Sequence, residues 1–191
     1  MTIRLIVGLG NPGKGYQSYR HNVGFWFCEA LAHLYTGHFK KEAKFLGEVA
    51  QINIPGCSVR LLKPTTFMNC SGQSIQSIAN FYQINADEIL VVHDELDISP
   101  GIAKIKSGGG HGGHNGLRDT IKALDTKAFH RLRIGIGHPD DKSQVANFVL
   151  HAPSKGELEK IQDALSDSLQ VIEGMIKGNF DKVMKTLHTK E

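Results

Sequence analysis

The residues of this chain best suited to chemistry are His21, Asp94 and the run from Lys106 to Gly116, in which six of eleven residues are glycine and His111, His114 and Asn115 stand among them. A histidine backed by a carboxylate is the smallest general base that works at neutral pH, because the carboxylate fixes the tautomer and stabilises the imidazolium. Asn11, Asn69 and Asn115 could supply neutral donors and acceptors that orient and polarise a carbonyl. No elbow presents a serine nucleophile and Cys70 lacks a catalytic signature, so water is the expected nucleophile. A metal is the alternative, with His93, Asp94, His111 and His114 as ligands. The two loop histidines are separated by a Gly-Gly pair, unlike the helical i, i+4 zinc motif, so a metal-free site is the expectation.

The glycine run itself needs a reason. Without Cβ atoms it gains no burial and loses much backbone entropy on ordering, so its usual value is a tight turn or a close approach to a ligand. A flexible linker is the other reading. Linkers, however, do not carry two imidazoles and an amide straight into an apolar-periodic helix marked by Leu117, Ile121 and Leu124.

The elements that must position these residues alternate in type. Residues 3–7 read as a buried strand, opening onto Gly8-Leu-Gly-Asn-Pro-Gly13. A helix follows with Asn22 as N-cap and Val23, Trp26, Phe27, Ala30, Leu31 and Leu34 at helical spacing. Residues 45–54 and 58–62 predict a hairpin around Pro55-Gly56, 71–82 a second helix, and 89–92 a buried strand that ends in His93-Asp-Glu-Leu-Asp97. A short strand at 103–106, a helix at 115–124 and a strand at 132–136 complete the pattern. Beyond Ser154, which forms a capping box with Glu157, an apolar stripe from Leu158 to Ile176 predicts one long helix ending at Gly178. The expected fold is α/β: a single domain over residues 1–191, with a mixed, mostly parallel central sheet flanked by helices and a helical region from about 154 packing on it. In such sheets the loops beyond the carboxyl ends of the strands gather around one crevice. Asn11, Phe67-Met-Asn69, Asp94 and the glycine loop are all expected there, with His21 just before a helix.

The net charge of +3 is uneven along the chain: residues 101–142 hold eight Lys/Arg against four Asp/Glu, and elsewhere the signs nearly balance. A polyanion is one partner for such a surface; a solvated face is the other reading, and charge alone leaves them level. The odd number of cysteines, Cys28, Cys57 and Cys70, without paired spacing, suggests neither a disulfide framework nor a zinc knuckle. With an N-terminal apolar run too short for a signal segment and no membrane-length run, the expected location is cytoplasmic.

Two nucleotide motifs near the N-terminus are decoys. Gly8-Leu-Gly-Asn-Pro-Gly13 matches the dinucleotide fingerprint, but Pro12, Tyr16 and Tyr19 interrupt the helix it should open, and no acid ends a strand about twenty residues on. The phosphate-loop reading fails because Gly15 stands where a magnesium-binding hydroxyl belongs.

Together, Val7-Gly-Leu-Gly-Asn-Pro-Gly13 with Tyr16, Arg20-His-Asn22, Lys63-Pro-Thr-Thr-Phe-Met-Asn69 with Ser71-Gly72, His93-Asp-Glu-Leu-Asp97, Gly108 to Gly116, and Arg131-Leu-Arg-Ile-Gly-Ile-Gly-His-Pro139 closely resemble the motifs of the bacterial-type peptidyl-tRNA hydrolases. The resemblance spans residues 5–139 in the family's order, and no motif position departs from it. It implies hydrolysis of the ester between a peptide and the 3′ ribose of tRNA, recycling tRNA from aborted translation. It further implies His21 as the base that activates water and Asp94 as its orienting acid. Asn11, Asn69 and Asn115 match residues that bind the peptide and ester region, with Tyr16, Met68 and His114 lining the cleft. Lys106, Arg133 and Lys142 match residues that meet tRNA phosphates. A monomer without metal or cofactor is implied, with mobile cover that includes the helix-rich region near residues 140–155. The rival from another class is a non-catalytic RNA-binding module; the pairing of His21 with Asp94 favours the enzyme.

Overall fold

The computed structural model describes residues 2–189. In chain order its strands are β1 (Leu5–Gly8), β2 (Lys40–Glu42), β3 (Gly47–Ile54), β4 (Cys57–Pro64), β5 (Ile89–Glu95), β6 (Ala103–Ser107) and β7 (His130–Gly135). Among the described residues they join in one sheet in the order β2-β3-β4-β1-β5-β7-β6. The four central strands β4, β1, β5 and β7 pair in parallel, while β2, β3 and β6 pair antiparallel with their neighbours. The architecture is the mixed, centrally parallel α/β fold expected from the alternation of elements.

Both faces of the sheet are buried, as a parallel sheet requires. Leu90 and Val92 of β5 point to one side, with α1 (Val23–Leu34), α5 (Lys155–Gln170), α6 (Ile172–Ile176) and α7 (Phe180–Leu187) supplying Phe27, Ile161, Met175 and Val183 to the same core. Ile89 and Val91 point to the other side, where α2 (Ser71–Tyr82) and α3 (Asn115–Leu124) supply Ile75, Ile78 and Leu117. This period of two is the strand geometry read directly as packing. A further short helix, α4 (Val145–Val149), lies between β7 and α5 in the chain. No helix among the described residues is long and apolar enough to cross a membrane.

The glycines after β1 have a packing role. A Cβ on Gly8 would collide with the Gly24 carbonyl, one on Gly24 with the Val92 carbonyl oxygen and the Leu9 backbone, and one on Gly10 would come within 2.8 Å of the Phe25 ring. The first turn of α1 therefore sits against the ends of β1 and β5 with no side chain between them. That close seat fixes the 3-10 turn Arg20–Asn22, and with it His21, above the sheet.

Several boundaries differ from those the sequence predicts. Strand β2 is additional; β5 continues through His93 and Asp94 to Glu95; α4 falls in the region near 140–155 where the resemblance implies helix, though the pattern of residues does not mark it; and the C-terminal stripe is broken, because α5 ends at Gln170 and α6 follows as a separate short helix. The stripe records which residues face the core, not whether one axis carries them, so a bend at Val171 leaves it intact. Asn22 occupies the N-cap position of α1 but does not cap it. Its side chain instead accepts from the Asn11 N–H at 3.0 Å and donates to the Asn11 carbonyl at 2.9 Å, clamping the loop after β1 to the start of α1.

Replacing Gly24 by Ala is expected to force the α1 seat apart, with a loss of about 1–3 kcal/mol, the scale for overpacking a rigid contact. Denaturant unfolding of the variant measures this; an unchanged midpoint would mean the backbones are not held in contact.

Candidate active site

The loops after β1 and β4 and the end of β5 meet at the carboxyl edge of the parallel strands, as such sheets arrange. The glycine loop arrives there by an unexpected route. β6 runs against β7, and Ser107 at its end faces His130 at the start of β7, level with Leu90. The loop thus leaves from the amino ends of the parallel strands, not the carboxyl ends as the pattern of elements suggested. It must travel back by about four strand residues, roughly 13 Å, to reach Asp94.

The glycines make that return path possible. Gly108, Gly109, Gly112 and Gly113 all have φ between 56° and 105°, a region that side-chain-bearing residues rarely adopt. Gly108 N–H donates to Phe129 O at 2.9 Å, and the buried Arg131 guanidinium donates to the Gly109 and Gly110 carbonyls. At the far end His114 caps α3: its Nδ1 accepts from Gly116 N–H at 3.1 Å and Leu117 N–H at 3.3 Å.

Those two bonds settle the His114 tautomer. With Nδ1 occupied as an acceptor, the proton sits on Nε2, which donates to Asp94 Oδ1 at 2.8 Å. His21 approaches the same carboxylate from the 3-10 turn, with Nδ1 2.9 Å from Oδ1 and 2.9 Å from Oδ2. Nδ1 therefore carries the proton, and Nε2 on the other side of the ring keeps its lone pair. Asp94 is 3% exposed, and the two imidazoles supply the donors that an ionised buried carboxylate needs. The rings of His21 and His114 lie 4.9 Å apart.

The electrostatics follow the contacts. Burial would push the His21 imidazole down, but the charge and hydrogen bond of Asp94 outweigh it and hold the group above its ordinary value. Burial would push the Asp94 carboxyl up, but the two imidazoles hold it well below the usual carboxylate range. His93 is the opposite case. Fully buried and beside His114, it is pushed down to about 3 and stays neutral, with its Nδ1 on the Asp94 carbonyl oxygen at 2.8 Å.

His21, Asp94 and His114 are also the residues that could hold a cation, since their donor atoms all lie within 4.8 Å of one another. Zinc bound at about 2.0–2.1 Å by each would set neighbouring ligand atoms about 3.3 Å apart. The observed 2.8 and 2.9 Å separations are those of charge-assisted hydrogen bonds, so protons already satisfy this set. His111 stands apart from the cluster, its Nδ1 accepting from Gly113 N–H at 3.0 Å.

Two cavities of about 390 Å³ each open on either side of His21. The first is bounded by Asp94, His114 and Lys142. The second is bounded by Asn11, Tyr16, Phe67, Met68 and Asn69, and the two share His21, Asn115, Ala146 and Val149. The amides along this cleft are oriented. Asn11 Oδ1 accepts from Met68 N–H at 2.8 Å and Asn115 Oδ1 from Arg118 at 3.0 Å, which leaves the Nδ2 donor of each to meet a ligand. Tyr16 and Phe67 stand edge to face at 6.2 Å, and Phe67 is 58% exposed. Lys106 and Arg133 are elsewhere: they border a neighbouring cavity of about 280 Å³, which meets the first cavity at Glu95, His111 and Gly112. Arg133 Nε is paired with Glu95 at 3.0 Å.

The sequence does not show the bond from His114 to Asp94 or the Asn22 clamp, and of the segment near 140–155 that the resemblance places over the cleft it does not single out Ala146 and Val149. The His-Asn pair opening an apolar-periodic helix was a signal for the first, since a residue before a helix can cap it. For α4 the residues themselves offer only a short apolar group; the resemblance supplies the rest.

A family model described as peptidyl-tRNA hydrolase matches residues 5–191. Among similar proteins, a peptidyl-tRNA hydrolase of Ruthia magnifica subsp. Calyptogena magnifica is 82% identical over 191 residues, covering 100% of each chain. One of Neisseria meningitidis serogroup A is 52% identical over 189 residues, covering 99% of this chain and 98% of that one. The crystal structure of peptidyl-tRNA hydrolase from Acinetobacter baumannii superposes with a TM-score of 0.94 at 47% identity, covering 97% of this chain and 94% of that one.

The protonation pattern can be read by NMR of the imidazole resonances. His21 is expected to titrate above the ordinary 6.5 and, in Asp94→Asn, below it, because burial then acts alone. His93 is expected to stay neutral down to about 3. A His21 midpoint unmoved by Asp94→Asn would remove the carboxylate as the controlling charge.

Proposed function

The chain belongs to the peptidyl-tRNA hydrolase family, and we propose that it cleaves the ester joining a peptide to the 3′ ribose of tRNA, with His21 as base and Asp94 as its orienting acid. The observation that carries this reading is the His21 Nδ1 contact with both Asp94 oxygens at 2.9 Å, at the point where two cavities meet.

The steps follow from the free atoms. His21 Nε2 takes a proton from a water that attacks the ester carbonyl, while the imidazolium is stabilised by the carboxylate at Nδ1. The donors of Asn11 and Asn115, with Asn69 beside them, hold the peptide and the carbonyl oxygen as negative charge develops there. The tetrahedral intermediate then breaks its bond to the ribose oxygen, and the proton on His21 passes to that leaving group. Products are the free peptide acid and tRNA with its 3′ hydroxyl restored. An ester is already an activated acyl group, so one placed base with amide donors is adequate. Tyr16 and Met68 shape the peptide side of the cleft, and His114 holds Oδ1 of Asp94.

The basic residues supply affinity. Lys142 at the cleft, and Lys106 and Arg133 at the cavity beside it, would meet phosphates of the tRNA without reading its sequence. Action as a monomer is what the family resemblance implies, and protons that satisfy the histidine cluster support a reaction without metal.

Release of peptide from peptidyl-tRNA tests the chemistry. His21→Ala is expected to lose about 10²- to 10⁴-fold in turnover, the range for a general base, with binding retained. Wild-type release is expected to be unchanged by chelator. Turnover by His21→Ala at the wild-type rate would refute the base, and abolition by chelator would refute the metal-free reading. For the phosphate contacts, Lys142→Ala and Lys106→Ala are each expected to weaken tRNA binding and to lower the slope of log affinity against log salt by about 1. An unchanged affinity and slope would remove that lysine from the interface.

A further inference from the structure

Helix α4 contributes Ala146 and Val149 to both cavities, so it forms a cover that crosses the cleft beside His21. A five-residue helix has little stability of its own. What fixes it is the residue next to the base. Arg20 is 7% exposed, and its NH1 donates to the carbonyl oxygens of Phe148 and His151, both at 3.2 Å. Its guanidinium lies 4.0 Å from the centre of the Phe148 ring. Its backbone N–H donates to the same His151 oxygen at 3.1 Å, and Tyr19 stacks on the His151 ring. The charge is completed by NH2 on Glu157 at 3.0 Å, and Nε is buried without a partner among the described residues.

Glu157 is itself fixed, because its carboxylate accepts from Ser154 N–H at 2.7 Å in the capping box of α5. One cation thus joins three parts: the turn that carries His21, the end of the cover, and the start of the C-terminal helical layer. Burying a guanidinium is expensive unless most of its donors are used, and here the carbonyls it serves lie at the end of α4 and just past it. Simple anchoring of the chain would not need a charge at this position, since the backbone bond from Arg20 to His151 already ties the segments.

We propose that Arg20 is a positioning residue: its guanidinium sets where the α4 cover stands over the cleft, and so how tightly the substrate is held against His21. This rests on the ester-hydrolase reading given above. Loss of the latch then loosens substrate binding more than it changes the base.

The test measures kcat, KM and the acid limb of the pH profile for peptidyl-tRNA, together with hydrogen exchange across residues 145–151. Two variants are used. Arg20→Lys keeps the charge but not the fork; Glu157→Gln removes the ion pair while leaving a side chain that still completes a capping box. Both are expected to raise KM by about tenfold, the factor for one part-buried charge-assisted bond, with the acid limb unmoved and exchange in the cover faster. Arg4→Gln, which breaks the Arg4–Glu88 pair away from the cleft, is expected to leave KM unchanged. If Arg20→Lys does not fold, Glu157→Gln decides. An unchanged KM with unchanged exchange in folded Glu157→Gln overturns the proposal, as does an equal rise of KM in Arg4→Gln. Failure of the wild-type chain to release peptide would instead overturn the hydrolase reading.

Discussion

A carboxylate removed from water has to be matched atom for atom by donors, or it takes up a proton and ceases to be a charge. Asp94 sits in the last turnings of β5, buried, and its donors come from two parts of the chain far apart in sequence: His21, ahead of α1, and His114, at the end of the glycine loop. Neither ring can leave without stranding the charge. The site and the fold are therefore one problem, because the elements that carry these rings must end within hydrogen-bond reach of one strand terminus.

The fold solves this by omission of side chains. On one flank Gly8 and Gly24 let backbone meet backbone, so the turn bearing His21 is set by hard contact. On the other flank a strand that runs the wrong way delivers the chain to the wrong end of the sheet, and a glycine-rich return path brings His114 back. Arg131 steadies that path by taking two of its carbonyls, a use of a buried cation that needs no carboxylate partner. Two different demands, close packing and positive φ, thus explain two glycine clusters that look alike in the sequence.

How much could be read beforehand follows the same division. The alternation of strands and helices, the buried central strands and the Ser154–Glu157 cap are local signals with periods of two or 3.6, and they were legible. So was the meeting of a histidine, an acid and three amides around one crevice, because such residues at loop positions have few structural uses. The antiparallel β6 was not legible, since strand direction depends on pairing partners and not on the residues within the strand. With it went the route of the glycine loop, though not its destination. Asn22 shows the limit at finer grain: its position before a helix predicts a cap, yet a backbone loop eleven residues earlier offers the better pair of bonds. Local propensity names the options, and tertiary contacts choose among them.

His93 completes the account of the charge. Three imidazoles surround Asp94, and if all could protonate, the acid would be neutralised several times over and have nothing left for a proton arriving at His21. The third ring is kept out of that exchange. Its Nδ1 donates to the Asp94 backbone oxygen, not to the carboxylate, and burial beside His114 holds it neutral down to about 3. His114 in turn has Nδ1 taken up by the α3 amides. Of these three rings, His21 alone combines a bond to the acid with a nitrogen left for the cleft, so within this cluster a proton gained from solvent is stabilised there.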